Sequence, residues 1–398
     1  MIGDEPKRAA RAATERLKRR DWILLPCAFL GTLILLGGGV ELVARSVFSQ
    51  SQTGLAQCMV LNDATTGARG IPNSVCYEKV AESPKIEFRF NGCGHRAGME
   101  CGPKPAGTYR IVMTGSSMPM GAMVQQRESF AALLPKALSE ETGRRVELYN
   151  ESMEWGFTHS VTLRFKDVLA AKPDLVLWIL TPADVERASL VLPRSEEVGQ
   201  WKTKSLAERV WLRVKNILAT ESGRAAMADF WGRSRTSLML RHFLYQSPTL
   251  FVKATLAADE SDSGYLRDPL GALWMERMKQ VDSDAATIEK QARDSGVLFV
   301  AAYVPNRPQT TVVSMGNWPT GVDPYELDHK LRPIIEGHGG TYIDTLPEFR
   351  NIRNPERYYF PVDGHLTPQG HAVMSGLLAK ELTSGAVPPL SVPSPHLQ

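Results

Sequence analysis

The sequence predicts an α/β fold built around a parallel sheet, and two observations support that prediction. Apolar strand-like runs alternate with helical stretches over 109–184, and the alternation returns over 296–383. Strands and helices in this order form a parallel sheet covered by helices on both faces.

The chain has 398 residues, 43% hydrophobic and 22% charged, and this length is enough for one large domain or two. The net charge of +3, without basic tracts interleaved with aromatics, argues against nucleic acid as a partner.

The N-terminus predicts a membrane anchor. Residues 1–21 carry seven Lys and Arg side chains, and the run 22–40 that follows has no charge. At about 1.5 Å per residue, that run matches the thickness of a bilayer core. A cleaved signal peptide is the alternative, but its apolar part is usually shorter and ends in a small-x-small site, whereas here the helical pattern continues. We expect a transmembrane helix over 22–46, with 1–21 in the cytoplasm and the rest of the chain in the periplasm.

Four of the five cysteines lie between this anchor and the first strand of the sheet. They are Cys58, Cys76, Cys93 and Cys101, while Cys27 lies in the apolar run. An even number in an oxidising compartment predicts two disulfides, and pairing nearest neighbours is one of three possible connectivities. Four unrelated thiols are the alternative. A zinc site is disfavoured because the spacings contain no C-x2-C pair.

The segment 47–107 is rich in Gly, Ser, Asn and Cys and shows little periodicity. We expect a loop-rich stem there, stapled by the disulfides. The stem would join the anchor to an α/β domain over 108–384.

The first half of the α/β domain contains three expected strands. They are 110–114, 145–150 and 173–180, with helices expected over 129–143 and 161–171. Right-handed crossovers should connect the strands. Ligands of such sheets bind at the carboxyl ends of the strands.

Between about 186 and 290 the alternation lapses into mostly helical patterns. The clearest is 205–218, which begins with a capping box of Ser205 and Glu208. We expect a helical insertion that covers the functional edge or rests on the membrane. Ordinary core packing is an equally good interpretation.

The last part of the chain returns to the α/β pattern. Strands are expected at 296–305 and 340–345, and a final helix over 367–382 begins with an N-cap threonine and a proline. The proline-rich tail, 385–398, predicts disorder.

Two adjacent hydroxyls follow the first strand, where the chain reads Gly115-Ser116-Ser117. A hydroxyl becomes a nucleophile when a base lies close to it. The best base is His365, two residues after Asp363. In extended chain these two side chains project to the same side, so the carboxylate could orient the imidazole. The order Ser, Asp, His is one of several chain orders that support serine catalysis.

On these residues the chain resembles the SGNH (GDSL-like) hydrolases, serine esterases and acyltransferases with a flavodoxin-like, three-layer fold. The family's first motif is Gly-Asp-Ser-x-x-x-Gly, and here Gly115-Ser116-Ser117 is followed at the same spacing by Gly121. The stretch "DGHLTPQGH" matches the family's Asp-x-His variant. The resemblance implies that Ser117 is the nucleophile and that Ser116 stands where the family has Asp.

The resemblance also implies an oxyanion hole made by the backbone N–H groups of Ser117 and Gly156, the glycine falling one residue late. The family's Asn donor is replaced by Ala183, which cannot donate. One such donor is typically worth about 3–4 kcal/mol of transition-state stabilisation. Three side chains are candidates to replace it and, with Trp155, are the expected substrate contacts: Asn150, His159 and Thr181.

Three further residues have less direct interpretations. Trp155 has two equally good interpretations: its ring stacks on a sugar ring, or it lies in the core. His371 is expected to pack or cap a helix rather than act as the base. Asp184 is expected to fix the loop after its strand.

The resulting hypothesis is an anchored, extracytoplasmic serine esterase that needs no metal or organic cofactor. The resemblance implies acyl esters of envelope or exported glycans as substrates. Acyl transfer to a polysaccharide is the first alternative. A non-catalytic binding or assembly protein that kept the fold is the second, and Ala183 favours it.

Overall fold

The computed structural model describes residues 20–50, 54–63, 67–188 and 234–391. The basic segment up to residue 19, the expected helix 205–218 and the tail from residue 392 lie outside the described residues.

The first helix, α1 (Asp21–Val47), is long and apolar enough to cross a membrane. Its span Trp22–Val47 has 26 residues, and none of its most apolar stretch is buried in the protein. Such a helix near the N-terminus is typical of a membrane anchor or a signal sequence. Its last turns behave differently, because Ala44 is fully buried and Phe48, just after the helix, is 6% exposed.

The stem contains more regular structure than the sequence predicted. Its strands form two antiparallel pairs: β1 (Met59–Asp63) with β2 (Gly67–Gly70), and β3 (Val75–Lys79) with β4 (Lys85–Arg89). Strands of four or five residues, buried on one side, leave only a short alternation in the sequence. The expectation of a loop-rich stem was therefore wrong in this respect.

The stem cysteines are paired as nearest neighbours. Cys58 is bonded to Cys76 and Cys93 to Cys101, with Cα atoms 6.0 and 6.1 Å apart. This confirms the predicted connectivity. Two such bonds are typical of proteins from an oxidising compartment.

A small hydrophobic core joins the stem to the α/β domain. Its stem members are Leu55, Cys58, Met59, Ala68, Cys76, Ile86, Phe88 and Phe90. Met120 and Met153 of the α/β domain complete this core, 0% and 1% exposed. Met120 ends the short helix after the first strand of the central sheet, and Met153 lies in the loop after the second strand. The stem therefore packs directly on the functional edge of that sheet.

The central sheet is parallel and confirms the α/β prediction. Its five strands are β5 (Thr108–Thr114), β6 (Arg145–Asn150), β7 (Leu175–Leu180), β8 (Leu298–Tyr303) and β9 (Thr341–Asp344). They lie in the order β6-β5-β7-β8-β9. This is the order of flavodoxin-like, doubly wound sheets, whose ligands bind where the winding reverses, between β5 and β7 here.

Helices cover both faces of the sheet. In the first half they are α2 (Ser117–Met120), α3 (Phe130–Thr142), α4 (Thr158–Ala170) and α5 (Pro182–Glu186). The Ser129 hydroxyl accepts the Ala132 N–H and caps α3, which ends at Gly143 in the left-handed region (φ 67°). Cap and stop residues of this kind explain why the helix boundaries were predictable.

The described part of the expected insertion is helical. It contains α6 (Arg235–Leu244), α7 (Pro248–Leu256), α8 (Glu260–Ser263) and most of α9 (Ala272–Asp294). The inner face of α9 is fully buried in the main core at Trp274, Val281 and Ile288. The ordinary-core interpretation therefore holds for α9, and the expected boundary near 290 lies inside a core helix.

Helix α6 lies against the end of α1 instead. The Glu41 carboxylate accepts the backbone N–H groups of Arg235 and Thr236 at 3.1 and 2.9 Å. The rings of Phe48 and His242 meet edge to face, 5.2 Å apart. The end of the apolar helix is therefore fixed to the folded domain.

Three more helices complete the domain: α10 (Arg307–Met315), α11 (Glu326–Gly337) and α12 (Pro368–Glu381). The prediction of disorder from residue 385 was wrong for the described part of the tail. Val387 and Leu390 are 1% and 0% exposed, because they pack on the main core.

Candidate active site

The Gly-Ser-Ser turn leads from β5 into the one-turn helix α2. Gly115 has φ 153°, and a Cβ there would lie 2.7 Å from Pro119 Cγ and 2.8 Å from the Ile179 carbonyl oxygen. Gly121 ends α2 in the left-handed region (φ 77°). Two glycines thus let the chain turn sharply and place Ser117 at the carboxyl end of the sheet.

Ser117, His365 and Asp363 form one hydrogen-bonded line, although Ser117 and His365 are 248 residues apart. Ser117 Oγ lies 2.8 Å from His365 Nε2. Asp363 Oδ1 lies 2.5 Å from His365 Nδ1 and also accepts the His365 N–H. The His365 and Asp363 side chains are 24% and 27% exposed, so the line opens to solvent. The structure brings the three residues together as the sequence predicted.

The electrostatics of the pair suit a general base. Burial lowers the pKa of His365, but the Asp363 carboxylate outweighs it, and the net shift is upward from 6.5. Burial raises the pKa of Asp363, and the His365 imidazole outweighs that effect, so the net shift is downward. Asp363 is therefore ionised at neutral pH, where it orients the imidazole and stabilises its cation.

A tight turn presents Asp363 and His365. The Phe360 N–H donates to the His365 carbonyl at 2.8 Å, and the Gly364 N–H donates to the Phe360 carbonyl at 3.0 Å. Gly364, between the two side chains, has φ 86°. These bonds fix the side-by-side arrangement of acid and base.

The two expected oxyanion donors differ in whether their N–H groups already have a hydrogen-bond acceptor. The Gly156 N–H donates to the Met153 carbonyl at 2.9 Å, so it is already engaged. Ser117 is the first residue of α2, where a backbone N–H has no acceptor within the helix. Of the two expected donors, the Ser117 N–H is therefore the one without an acceptor in its own helix or loop turn.

Two of the expected substrate contacts are structural instead. Asn150 is 2% exposed; its Nδ2 donates to the Pro119 carbonyl at 2.9 Å and its Oδ1 accepts the Ser152 N–H. Thr181 is 3% exposed, and its hydroxyl donates to Asp184 at 2.6 Å. Both side chains fix loops at the site, so neither replaces the donor missing at Ala183.

The other two expected contacts have separate positions. His159 is half exposed and lies 3.4 Å from Asp284 on α9. Trp155 lines a cleft between the stem and the end of α1, together with Glu78 and Arg45. It adopts the left-handed region (φ 57°), a conformation that costs a non-glycine residue about 1–3 kcal/mol. Trp155 is therefore a half-buried residue of the cleft rather than a core residue. Its strained backbone directly precedes Gly156.

Asp184 fixes the loop after β7, as expected, and it also binds Ser116 of the Gly-Ser-Ser turn. Burial raises the pKa of its carboxyl to about 6, against the opposing effect of the hydroxyls of Thr181 and Ser116. Ser116 is 1% exposed. Of the two adjacent serines, Ser116 is thus committed to structure and Ser117 faces the base.

Glu154 is a carboxyl near the base that sequence reasoning did not identify. Burial raises its pKa to about 7, and the charge of His365 acts in the opposite direction. Nothing in the local sequence separates this glutamate from an exposed one, because the charged groups that act on it, such as His365 and Glu78, are distant in the chain.

Arg96 of the stem is a second residue that the sequence analysis did not identify. It is 1% exposed and donates to four backbone carbonyl groups: those of Glu87, Met120, Gly121 and Val124. Three of these, at Met120, Gly121 and Val124, belong to the end of α2 and the loop after it. The stem therefore holds the end of the nucleophile helix α2.

One group of described residues has the spacing of a metal site. The ligand atoms of Asp323, Glu326 and His329 lie within 4.8 Å of one another. Asp323 already accepts the Tyr325 N–H, and Lys330 lies 3.4 Å from Glu326. These local partners account for the group without an ion.

His371 is buried and neutral, which confirms its packing role. Its Nδ1 accepts the Phe130 N–H at 3.1 Å, at the start of α3. Burial lowers its pKa from 6.5 to about 3, helped by the charges of His365 and Arg96. Nδ1 must stay unprotonated to accept this bond.

Acid should therefore destabilise the fold through His371. Below pH 6.5 the unfolded chain binds a proton that the folded chain refuses until about pH 3, so the stability is lost as pH falls through this window. His371→Asn keeps an acceptor at the position of Nδ1 without the titration. Between pH 7 and 5, urea unfolding should show wild type losing about 2 kcal/mol more than the variant. Equal losses would contradict this assignment.

No protein-family model matches the chain, and no curated protein sequence matches it. Similar solved structures include TesA (12% identity, TM-score 0.37, covering 71% of this chain and 99% of that one). A mutant of Axe2, an acetyl-xylooligosaccharide esterase from Geobacillus stearothermophilus, has the same identity and TM-score, with 71% and 96% covered. A GDSL-like lipase from Bacteroides thetaiotaomicron has 12% identity and a TM-score of 0.32, with 68% and 86% covered.

Proposed function

We propose that this chain is an SGNH-type serine esterase acting outside the cytoplasm. The observation that supports this most directly is the line from Ser117 Oγ through the His365 imidazole to the Asp363 carboxylate. A hydroxyl at a strand end, 2.8 Å from an imidazole that a carboxylate orients, is the arrangement that activates serine.

In the proposed reaction, His365 Nε2 takes the Ser117 proton while Oγ attacks the ester carbonyl. The Ser117 N–H stabilises the oxyanion, and the Gly156 N–H joins it by exchanging its bond to Met153. His365 then gives its proton to the departing alcohol, leaving an acyl-serine. Water, activated by the same imidazole, attacks the acyl group and releases the acid and free Ser117.

The proposed location and substrate are supported by features outside the catalytic residues, namely the apolar helix, the disulfides and Trp155. Helix α1 supports a membrane anchor with a cytoplasmic basic end, and the disulfides support an oxidising side for the domain. Esters of envelope or exported glycans suit an enzyme held there. Trp155, in a cleft beside the oxyanion loop, offers a ring face for a sugar.

Two other functions are compatible with the same arrangement of residues. Acyl transfer follows the same first half-reaction, with a glycan hydroxyl in place of water. A non-catalytic binding protein is favoured by Ala183, which cannot donate, and by the engaged Gly156 N–H.

The first experiment labels the full chain, solubilised in mild detergent, with a fluorophosphonate at several pH values. We expect one adduct, mapped to Ser117 by peptide mass spectrometry. The labelling rate should rise with pH through a midpoint above 6.5, because a base must be neutral and the pKa of His365 is raised. A chain that stays unlabelled at every pH would support the non-catalytic alternative.

Hydrolysis and transfer are separated after labelling succeeds. The protein is incubated with a p-nitrophenyl acyl ester, with and without a soluble oligosaccharide. Hydrolysis predicts free acid whether or not the sugar is present. Transfer predicts acylated sugar and faster p-nitrophenol release as the sugar concentration rises.

A further inference from the structure

A buried glutamate of the stem binds the turn that carries the acid and the base. Glu82 lies between β3 and β4, and its side chain is 2% exposed. Its carboxylate accepts the Val362 N–H at 3.0 Å and the Asp363 N–H at 2.7 Å. One carboxylate thus satisfies two consecutive backbone donors beside His365.

The same turn is held from its other side by a buried cation. Arg307, at the start of α10, is 1% exposed and donates to the Pro361 carbonyl and to the Tyr245 carbonyl. Its charge interacts favourably with that of Glu82. The turn therefore lies between a buried anion, which binds its N–H groups, and a buried cation, which binds its preceding carbonyl.

Helix α6 supplies the remaining partner of Glu82. His242 Nδ1 lies 2.6 Å from the Glu82 carboxylate, and the His242 ring also contacts Phe48 at the end of α1. Glu82 is thus a point where the stem, α6 and the acid–base turn meet. A buried carboxylate in this position is stable only while these donors surround it.

We propose that Glu82 is a positioning residue for the proposed serine mechanism, fixing the backbone from which Asp363 reaches His365. This inference rests on the proposed function for its catalytic meaning. Without Glu82, the Val362 and Asp363 N–H groups lose their acceptor. Asp363 can then rotate away from His365 Nδ1 or bond to its own turn. Displacements of about 1 Å at a catalytic group can reduce the rate about 100-fold.

The test compares Glu82→Ala and Glu82→Gln with wild type in the detergent-solubilised full chain. The control is Glu87→Gln, a change in the same stem at a side chain that is 37% exposed. We expect Glu82→Ala to reduce kcat and the fluorophosphonate labelling rate about 100-fold, with KM changed less than about threefold. Glu82→Gln keeps one acceptor oxygen and should lose about 10-fold. Glu87→Gln should match wild type.

Two further readouts separate positioning from stability. The final extent of labelling counts folded sites, so positioning predicts full labelling at a reduced rate. The midpoint of the pH profile should move down, because the pKa of His365 is then lowered by burial without the Asp363 carboxylate to raise it. Glu154 and Arg187 also act on this pKa, but the substitution leaves them in place. Carbethoxylation of His365 by diethyl pyrocarbonate, followed by mass spectrometry, measures the same midpoint without ester turnover.

These outcomes keep the two proposals distinct. Wild type that fails to label refutes the esterase proposal, while the carbethoxylation midpoints still test the role of Glu82. If Glu82→Ala does not fold, Glu82→Gln decides. An unchanged rate and midpoint in a folded Glu82 variant, or a loss explained wholly by fewer labelled sites, would overturn the positioning role.

Discussion

Ser117→Ala is expected to remove fluorophosphonate labelling and to lower kcat for ester hydrolysis by about 10⁶-fold. Without Oγ the imidazole has no nucleophile 2.8 Å away, and no acyl-enzyme can form. The residual rate should come only from the two backbone oxyanion donors, which the change keeps, and from substrate binding. KM is expected to change little, because Ser117 contributes mainly in the transition state. The measurement is p-nitrophenol release at substrate saturation.

Ser116→Ala is the matched control, since it removes the same atom one residue earlier. Its hydroxyl serves Asp184, so we expect full labelling and activity within about 10-fold of wild type, with some loss of stability. Asp363→Asn tests the other end of the line and should reduce kcat about 10⁴-fold, because the amide favours the wrong imidazole tautomer. If Ser116→Ala is the inactive variant and Ser117→Ala retains activity, the assignment of the nucleophile is wrong.

The sheet and the Ser117–His365–Asp363 line were predictable because each depends on local signals. Buried parallel strands such as Leu175–Leu180 are continuous apolar runs. The carboxyl ends of neighbouring strands share one edge, so a strand-end Ser117 could be placed without coordinates. The i, i+2 spacing was enough to pair Asp363 with His365.

The roles of Asn150, Thr181 and Gly156 were not predictable in the same way. Each depends on the acceptor its N–H or side chain finds, and those acceptors are fixed by the packing of loops. Asn150 binds the Pro119 carbonyl 31 residues away. A motif gives a residue's place in the chain, but not which of several nearby polar groups it will bind.

The stem was the largest omission, for a related reason. Arg96 and Glu82 are single charged residues in a segment without periodicity, and such residues are usually exposed. Arg96 is buried against the end of α2 and the loop after it, and Glu82 is buried against the acid–base turn and α6. The prediction of a loop-rich stem therefore missed the contacts that this segment makes with the residues beside the site.

Arg96→Met is expected to lower the free energy of unfolding by about 3–5 kcal/mol, the range for removing one member of a buried charged network. An apolar residue can replace a buried ion pair at little cost when both charges leave together. Arg96 differs, because its partners are backbone carbonyl groups that no side-chain change removes. The Met120 and Val124 carbonyls would lose their donor inside the protein, and the Gly121 carbonyl would keep only the Val124 N–H.

Burial of this cation already has a cost, and the structure shows what offsets it. Burial lowers the pKa of Arg96 to about 9, so the guanidinium stays charged at pH 7. The Phe88 ring, 4.2 Å from the guanidinium carbon, adds a cation–π contact. Urea unfolding of the full chain should give the loss for Arg96→Met. Arg89→Met, at a side chain 66% exposed, should lose less than about 1 kcal/mol. Comparable losses in the two variants would show that Arg96 does not hold the end of α2.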